Sequence, residues 1–542
     1  MRAAIALSMY CMTSSAQITE FDGSAERGIW SPVGQQIRRK RAKAVRLLAA
    51  DDQAKTPVSS QPNNGDDKRY ADRRGSFTKS LLHDCDGLVD CTAYQTLLDA
   101  LTSGCPSDFN AITMGGSRKL TDPQASYSFS LEGADAAINV VIPAPNFSSA
   151  QMAGEMVELY WQAILRDVPF NKYPMDIGVN YAINDLNALS DFRGPRQSGE
   201  VTPATLFRLN LPGVSDGPFI SQFLYLPIPN LGGVTEQVKL MPLSGQQNDF
   251  LTNFDDWFTV QNGGTLNKTI QFSDSPTFIR TGRDLGDWVH LDYPIQAFLD
   301  AALILSSFGA AALDNNHPYK SNPTQTGFVS YGVVDLLNLV SNVTQASLKA
   351  TWYQKWLVHR RVRPEEFGFF VNEQIVNNTD YGIHQDLKNS FAIVAMGDIY
   401  GNLFLPQQYP EGCPTHPSYP CGHGVLAGAC ATILKAWFNE AFVIPNPVKP
   451  NANNNQLVSY DLSLLTVGGE LNKLVSNIAK GRDIAGVHFR SDCQEGLALG
   501  EAIALSILED EAYTKNINFS GFTLTKFDGT VITVGAKKLI VV

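Results

Sequence analysis

One short stretch constrains the chain more than any other: Pro414-Thr-His-Pro-Ser-Tyr-Pro-Cys-Gly-His-Gly424, followed by an apolar run from Val425 to Phe442. Its prolines keep the first part irregular. Gly422-His423 then opens a long helix, predicted over 424–443, with Leu426, Ala429, Ile433, Ala436 and Trp437 on one stripe. A glycine-rich turn entering a helix presents free backbone N–H groups and the positive end of the helix dipole, which is a seat for an oxyanion. A histidine there can exchange protons with the bound anion. Taken alone, Gly-His at a helix start is more often only a turn.

Two further segments shift that balance: Lys355-Trp-Leu-Val-His-Arg-Arg-Val-Arg363-Pro364 and Gly481-Arg482-Asp-Ile-Ala-Gly486-Val-His488-Phe-Arg-Ser-Asp492. They add Lys355, Arg363 and Arg482 as cations and His488 as a second imidazole. Cations gathered in one place are costly to bury unpaired, so the set calls for a highly charged anion such as phosphate or vanadate. His359, Arg360 and Arg361, lying between Lys355 and Arg363, read as surface or structural residues.

The order Lys-x7-Arg-Pro, Pro-Ser-x-Pro-x-Gly-His and Arg-x5-His-x3-Asp resembles the signature shared by vanadium-dependent haloperoxidases and type 2 acid phosphatases. Phrases outside the motifs, among them Trp352-Tyr-Gln-Lys-Trp356, Ala153-Gly-Glu-Met-Val-Glu-Leu-Tyr-Trp161 and Leu189-Ser-Asp-Phe-Arg-Gly194, are similar to red-algal bromoperoxidases and their cyanobacterial relatives. The resemblance runs from about residue 75 to about 535. It implies a mainly α fold, two four-helix bundles packed in one large domain, and a vanadate cofactor bound to His488. Lys355, Arg363, Arg482, Gly422 and Cys421 would hold the vanadate oxygens, and His423 would be the acid-base group. Asp492, four residues past His488, would fix the tautomer of that ring. His416 matches a histidine of the bromoperoxidase branch and implies bromide and iodide oxidation with hydrogen peroxide, followed by halogenation of small organic nucleophiles. Cys421 departs from the family, which has serine here, and a thiol is a weaker donor. The resemblance also implies a homo-oligomer and structural calcium, for which no ligands are assigned. The rival is a phosphatase with His488 as nucleophile.

The 542 residues carry 42 basic against 53 acidic groups, a formal net charge of −11, which argues against bulk nucleic-acid binding and makes the basic site a local exception. Mean hydropathy is −0.11, and no run of eighteen apolar residues suggests a membrane span. Residues 1–16 fit a short signal peptide as well as an unstructured leader, and the former would place the protein outside the cytoplasm. Residues 17–75 read as an extended or partly disordered arm with a basic run at Arg38-Arg-Lys-Arg41. The helical domain follows over 76–542, with the active site within 355–492. Of the eight cysteines, Cys85, Cys91 and Cys105 lie close enough in sequence for a disulfide in an oxidising compartment. Helices are further predicted over 149–166, 294–312, 334–361, 468–480 and 493–511. A hairpin is predicted around Asp528-Gly529.

Overall fold

The structure, a computed structural model, describes residues 32–517 and 519–536. The predicted signal peptide and Cys11 lie outside them. The helices used below are α1 (Pro32–Ala54), α2 (Cys91–Ser103), α3 (Ala150–Leu165), α4 (Ile177–Ala188), α5 (Gln296–Ser307), α6 (Val333–Trp352), α7 (Pro364–Ile375), α8 (Phe391–Tyr400), α9 (Gly422–Trp437), α10 (Val467–Ile484) and α11 (Arg490–Ala512). The strands are short. Phe522–Thr525 and Val531–Val534 form the C-terminal hairpin, paired from Phe522↔Val534 to Thr525↔Val531.

Helix α9 is the axis of the fold. Every side chain from Val425 to Trp437 is buried, and α9 packs against α6, α10 and α11. A second helical group centres on α3, which packs against α4, α8 and α10. The α9–α11 crossing is very close because glycines face it. A Cβ on Gly428 would lie 2.4 Å from Leu497 O, and one on Gly500 would lie 1.9 Å from Val425 O. Only glycine admits that approach, and it brings the start of α9 against the start of α11. Two of the three stretches, 414–424 and 481–492, are thereby joined.

Helix α9 stops at Trp437, short of the predicted 443, although the sequence stays apolar. Phe438 turns extended and bridges Leu313, and the Trp437 carbonyl accepts from Asp314 N at 3.0 Å. Tertiary pairing here overrides local propensity. Helix α6 also differs from its predicted 334–361 span. After Trp352 it widens into a π-type turn, Tyr353–His359, closed by Arg360 N donating to Lys355 O at 2.9 Å. Such wide turns are frequent at functional sites. Trp356 anchors this one by sinking into a small separate core with Phe77, Tyr94 and Leu97. Its ring meets Phe77 edge-on at 5.5 Å.

The N-terminal arm joins the body earlier than residue 76. Residues 32–54 form α1, which carries the basic run on a mostly exposed surface. From Gln61 onward the chain is tied down, with Asn63 Nδ2 donating to Val358 O (3.1 Å) and the buried Asp66 carboxylate accepting from Phe147 N (2.8 Å). Cys85, Cys91 and Cys105 are exposed free thiols. Among the described residues no helix is long and apolar enough to cross a membrane.

Candidate active site

The α10–α11 connection contributes the largest share of the site. Arg482 sits in the last turn of α10. Gly486, at φ +87, reverses the chain, a conformation that costs a β-carbon residue about 1–2 kcal/mol. A side chain there would also meet Gln407 at 2.8 Å. His488 follows in the extended link, and Asp492 lies in the first turn of α11, where its carboxylate accepts from Phe489 N at 3.0 Å and so caps the helix.

His488 is buried, and its Nδ1 lies 2.9 Å from Asp492 Oδ2. A carboxylate only accepts, so Nδ1 carries the proton and Nε2 keeps its lone pair. Burial pushes the imidazole below its ordinary pKa, which keeps the ring neutral. Asp492 is itself fixed: Ser418 Oγ donates to Oδ2, and Arg361 Nη1 donates to Oδ1 at 2.6 Å. Burial works against its charge, but Arg361 and His488 outweigh that and hold the carboxyl well below the usual range.

Lys355 Nζ, fully buried, donates to Pro417 O (2.7 Å) and Ser418 O (2.9 Å). Arg363, the residue before α7, donates to His416 O (2.8 Å) and Val487 O (2.7 Å). It also reaches His488 Nε2 (3.1 Å) and His416 Nδ1 (3.0 Å). Guanidinium only donates, so His416 Nδ1 accepts and its proton is on Nε2. The 3.2 Å approach of that same nitrogen to Pro417 O is then a contact without a proton. Burial, Lys355 and Arg363 keep His416 far below its usual pKa and neutral, and Trp352 lies against it at 4.9 Å. Arg482 Nη1 donates to Val289 O at 2.6 Å, while its buried Nε has no hydrogen-bond partner among the described residues.

Among the described residues, none of these three cations is paired with a carboxylate. Burial, then neighbouring Arg363, pushes the Lys355 ammonium well below its ordinary pKa. An orphaned guanidinium N–H and a destabilised ammonium around a neutral imidazole lone pair form a receptor for a polyanion. The donor set fits a tetrahedral oxyanion that also accepts one nitrogen ligand.

At the start of α9, Cys421 is the N-cap, with its sulfur accepting from Gly424 N at 3.4 Å. Burial opposes ionisation of this thiol, but its bond to Cys493 and the neighbouring His488 and His423 hold it below its ordinary range. Gly422 opens the helix, and a side chain there would meet Leu348 at 3.7 Å. His423 is half-buried and its Nε2 lies 3.0 Å from Asp292 Oδ1. Asp292 also lines an adjoining cleft of about 330 Å³ with Trp288, Leu291 and Asp300.

All nine residues singled out from the sequence thus fall in one connected region. Asp292 and Val289 were not among them. They lie in the segment after a short helix, Gly282–Trp288, with no spacing signal, and Asp292 is 131 residues from the histidine it touches. Of the two roles left open for Arg361, surface or structural, the structure shows the structural one: it is 1% exposed and holds Asp492 and Glu155. His359 is buried too, with its imidazole pushed down to about 3 by burial and the flanking arginines.

Comparison with known proteins places this geometry. Residues 335–514 match the family described as the VCPO second helical-bundle domain. The vanadium-dependent bromoperoxidase of Corallina officinalis is 33% identical, covering 87% of this chain and 92% of that protein. The vanadium-dependent bromoperoxidase of Ascophyllum nodosum is also 33% identical, covering 92% and 93%. The solved structure of a second vanadate-dependent bromoperoxidase from Ascophyllum nodosum, a homohexamer, superposes with a TM-score of 0.87 at 30% identity, covering 92% of this chain and 90% of its own.

Proposed function

Because this chain belongs to the vanadium-dependent bromoperoxidase family, we propose that His488 Nε2 is the protein ligand to its vanadate, with Lys355, Arg363, Arg482, Gly422 N–H and Cys421 around the vanadate oxygens. The enzyme oxidises bromide with hydrogen peroxide to hypobromous acid or its equivalent, which halogenates organic nucleophiles. Bound vanadate supplies Lewis acidity that activates peroxide without a change in oxidation state. The observation that carries the assignment is His488. Its Nδ1–H is fixed on Asp492, and its lone pair faces cations that no carboxylate neutralises.

The chain's own groups then have separable tasks. Lys355 and the two arginines balance the anion's charge, and a polyanion beside Lys355 restores its full protonation. With Nε2 of His423 on Asp292, Nδ1 is the nitrogen that takes and returns the peroxide proton. Asp292 sets the orientation and basicity of that ring. His416, neutral and locked by Arg363, is assigned to halide selection, favouring bromide and iodide. Homo-oligomer formation is proposed on the homohexameric relative, with α1 as an exposed arm suited to reaching a neighbouring subunit. Location outside the cytoplasm rests on residues 1–16. Structural calcium stays an expectation of the family resemblance: among the described residues no group of three His, Cys, Asp or Glu side chains gathers to hold a metal.

The test is bromination of monochlorodimedone by metal-stripped protein, with and without orthovanadate. Activity restored by vanadate and suppressed by phosphate is expected. Phosphate-ester hydrolysis inhibited by vanadate, without bromination, would overturn the reading.

A further inference from the structure

Cys421 has a second sulfur beside it. Cys421 N donates to Asp492 O at 2.8 Å, so its backbone runs alongside the residue preceding Cys493. A Cβ on Gly424 would lie 2.8 Å from Cys493 O, and one on Gly496 would lie 3.0 Å from Cys421 O. The glycine-lined α9–α11 crossing therefore presses these two cysteines together. Both thiols are fully buried and both are free. Cys493 Sγ lies within hydrogen-bonding reach of Ala479 O (3.3 Å) and Asp483 Oδ1 (3.2 Å), two acceptors for its single proton.

We propose that Cys421 and Cys493 are a peroxide-oxidisable pair, in which hydrogen peroxide reaching the oxyanion site converts the two thiols to a disulfide that disables the site reversibly. The inference rests on the peroxidase reading, which brings peroxide to the sulfur of Cys421. The chemistry balances. Cys421 sulfur attacks one peroxide oxygen, the O–O bond breaks, and a sulfenic acid and one water result. Cys493 sulfur then attacks Cys421 sulfur, the S–S bond forms, and the S–O bond breaks. The departing hydroxide leaves as a second water with the proton of the Cys493 thiol, whose sulfur lies 3.2 Å from Asp483 Oδ1. Two thiols are oxidised by two electrons and one peroxide is reduced.

The disulfide withdraws the Cys421 donor from the anion, so vanadate affinity should fall roughly ten- to a hundredfold, the scale of one lost hydrogen bond to a charged group. It also spares Cys421 from irreversible over-oxidation, because the resolving thiol intercepts the sulfenic acid.

The experiment treats full-length, vanadate-free protein with a small molar excess of hydrogen peroxide, then alkylates it under denaturing conditions and maps its peptides by mass. A Cys421–Cys493 linked peptide, two hydrogens lighter than the reduced pair and lost on dithiothreitol treatment, is expected. Reduction should also return the original vanadate affinity. The Cys493→Ser variant should carry Cys421 onward to sulfinic acid, and Cys421→Ser should give no link. Peptide mapping separates this bond from any among the exposed Cys85, Cys91 and Cys105. Both thiols remaining alkylatable, or Cys421 over-oxidised in the unmutated protein while Cys493 stays free, would overturn the proposal. Vanadate-dependent bromination is assayed on the same reduced preparation. Bromination without the link sinks the disulfide alone, and the link without bromination sinks the peroxidase reading alone.

Discussion

Along α10 and α11, Lys480 and Arg490 are closed off by carboxylates. Glu158 accepts from both, and Asp483 accepts from Lys480 at 2.5 Å. Arg361 is held in the same way between Glu155 and Asp492. Lys355, Arg363 and Arg482 are buried as deeply but are given carbonyl oxygens and imidazole nitrogens instead. Removing a charge from water is expensive unless a counter-charge accompanies it. The first set brings its counter-charges with it and is scaffold. Among the described residues the second has no carboxylate in contact, and its charge suits a bound polyanion. The contrast separates structure from receptor more sharply than burial does, since both sets are buried.

The largest effect should come from breaking the self-neutralised set. Glu158→Ala leaves Arg490 and Lys480 short of a counter-charge, and a broken buried pair costs about 3–5 kcal/mol. The expected result is a lower urea midpoint, with vanadate affinity of the folded fraction little changed. Arg482→Met makes the opposite case. Among the described residues its guanidinium has one acceptor, Val289 O, so stability should move by no more than about 1 kcal/mol. Vanadate affinity should fall by about ten- to a hundredfold, the worth of a charge-assisted bond. If Arg482→Met unfolds the protein as readily as Glu158→Ala does, the two sets are not different in kind.

Asp492 belongs to both sets and tests where they meet. It pairs with Arg361 on one oxygen and fixes His488 on the other. Asp492→Asn keeps the shape, but the amide can present its NH2 to His488 and invert the tautomer. Loss of such a partner costs about 10- to 100-fold in affinity for the bound group. Isothermal titration with orthovanadate is the measurement, and an unchanged affinity would remove Asp492 from the site.

These comparisons also explain what could be read from the sequence. Arg482, Gly486, His488 and Asp492 were legible because one helix end, one glycine turn and one helix start impose their spacing within eleven residues. Lys355 and Arg363 were legible for the same reason, although the widened turn that aims Lys355 leaves no compositional mark. Asp292 and Glu158 were not, because each meets its partner only through packing, 131 and 332 residues away in the chain. For Arg361 the sequence left surface and structural roles open, and its carboxylates, brought to it by α3 and α11, decide for the structural one. The mainly helical fold and the C-terminal hairpin followed from periodicity. The end of α9 at Trp437 did not, because a distant segment, Leu313–Asp314, sets it.

The smallest effect concerns a buried group of the opposite sign. Glu365, at the start of α7, is paired with Lys79 at 2.5 Å. Its neighbour Glu366 is also buried, makes no ion pair among the described residues, and accepts from Thr78 Oγ1. Burial, reinforced by the charge of Glu365, pushes the Glu366 carboxyl up to about 8. A carboxylate without a cation can hold a proton and become neutral, whereas an arginine without an anion has no such escape, which is why Arg363 and Arg482 need a ligand and Glu366 does not. The sign follows from linkage. The folded value lies above the unfolded value of about 4.3, so the folded state binds the extra proton. The stability Glu366 contributes is complete below about pH 4 and is lost as pH rises through about 8, with a slope of at most about 1.4 kcal/mol per pH unit. Glu366→Gln supplies a permanently neutral side chain of the same shape. It should flatten the fall in unfolding midpoint between pH 5 and 8 while leaving vanadate affinity unchanged. An unaltered slope would mean that Glu366 is ionised and has found a counter-charge, and the rule separating paired scaffold charges from unpaired receptor charges would lose its mirror case.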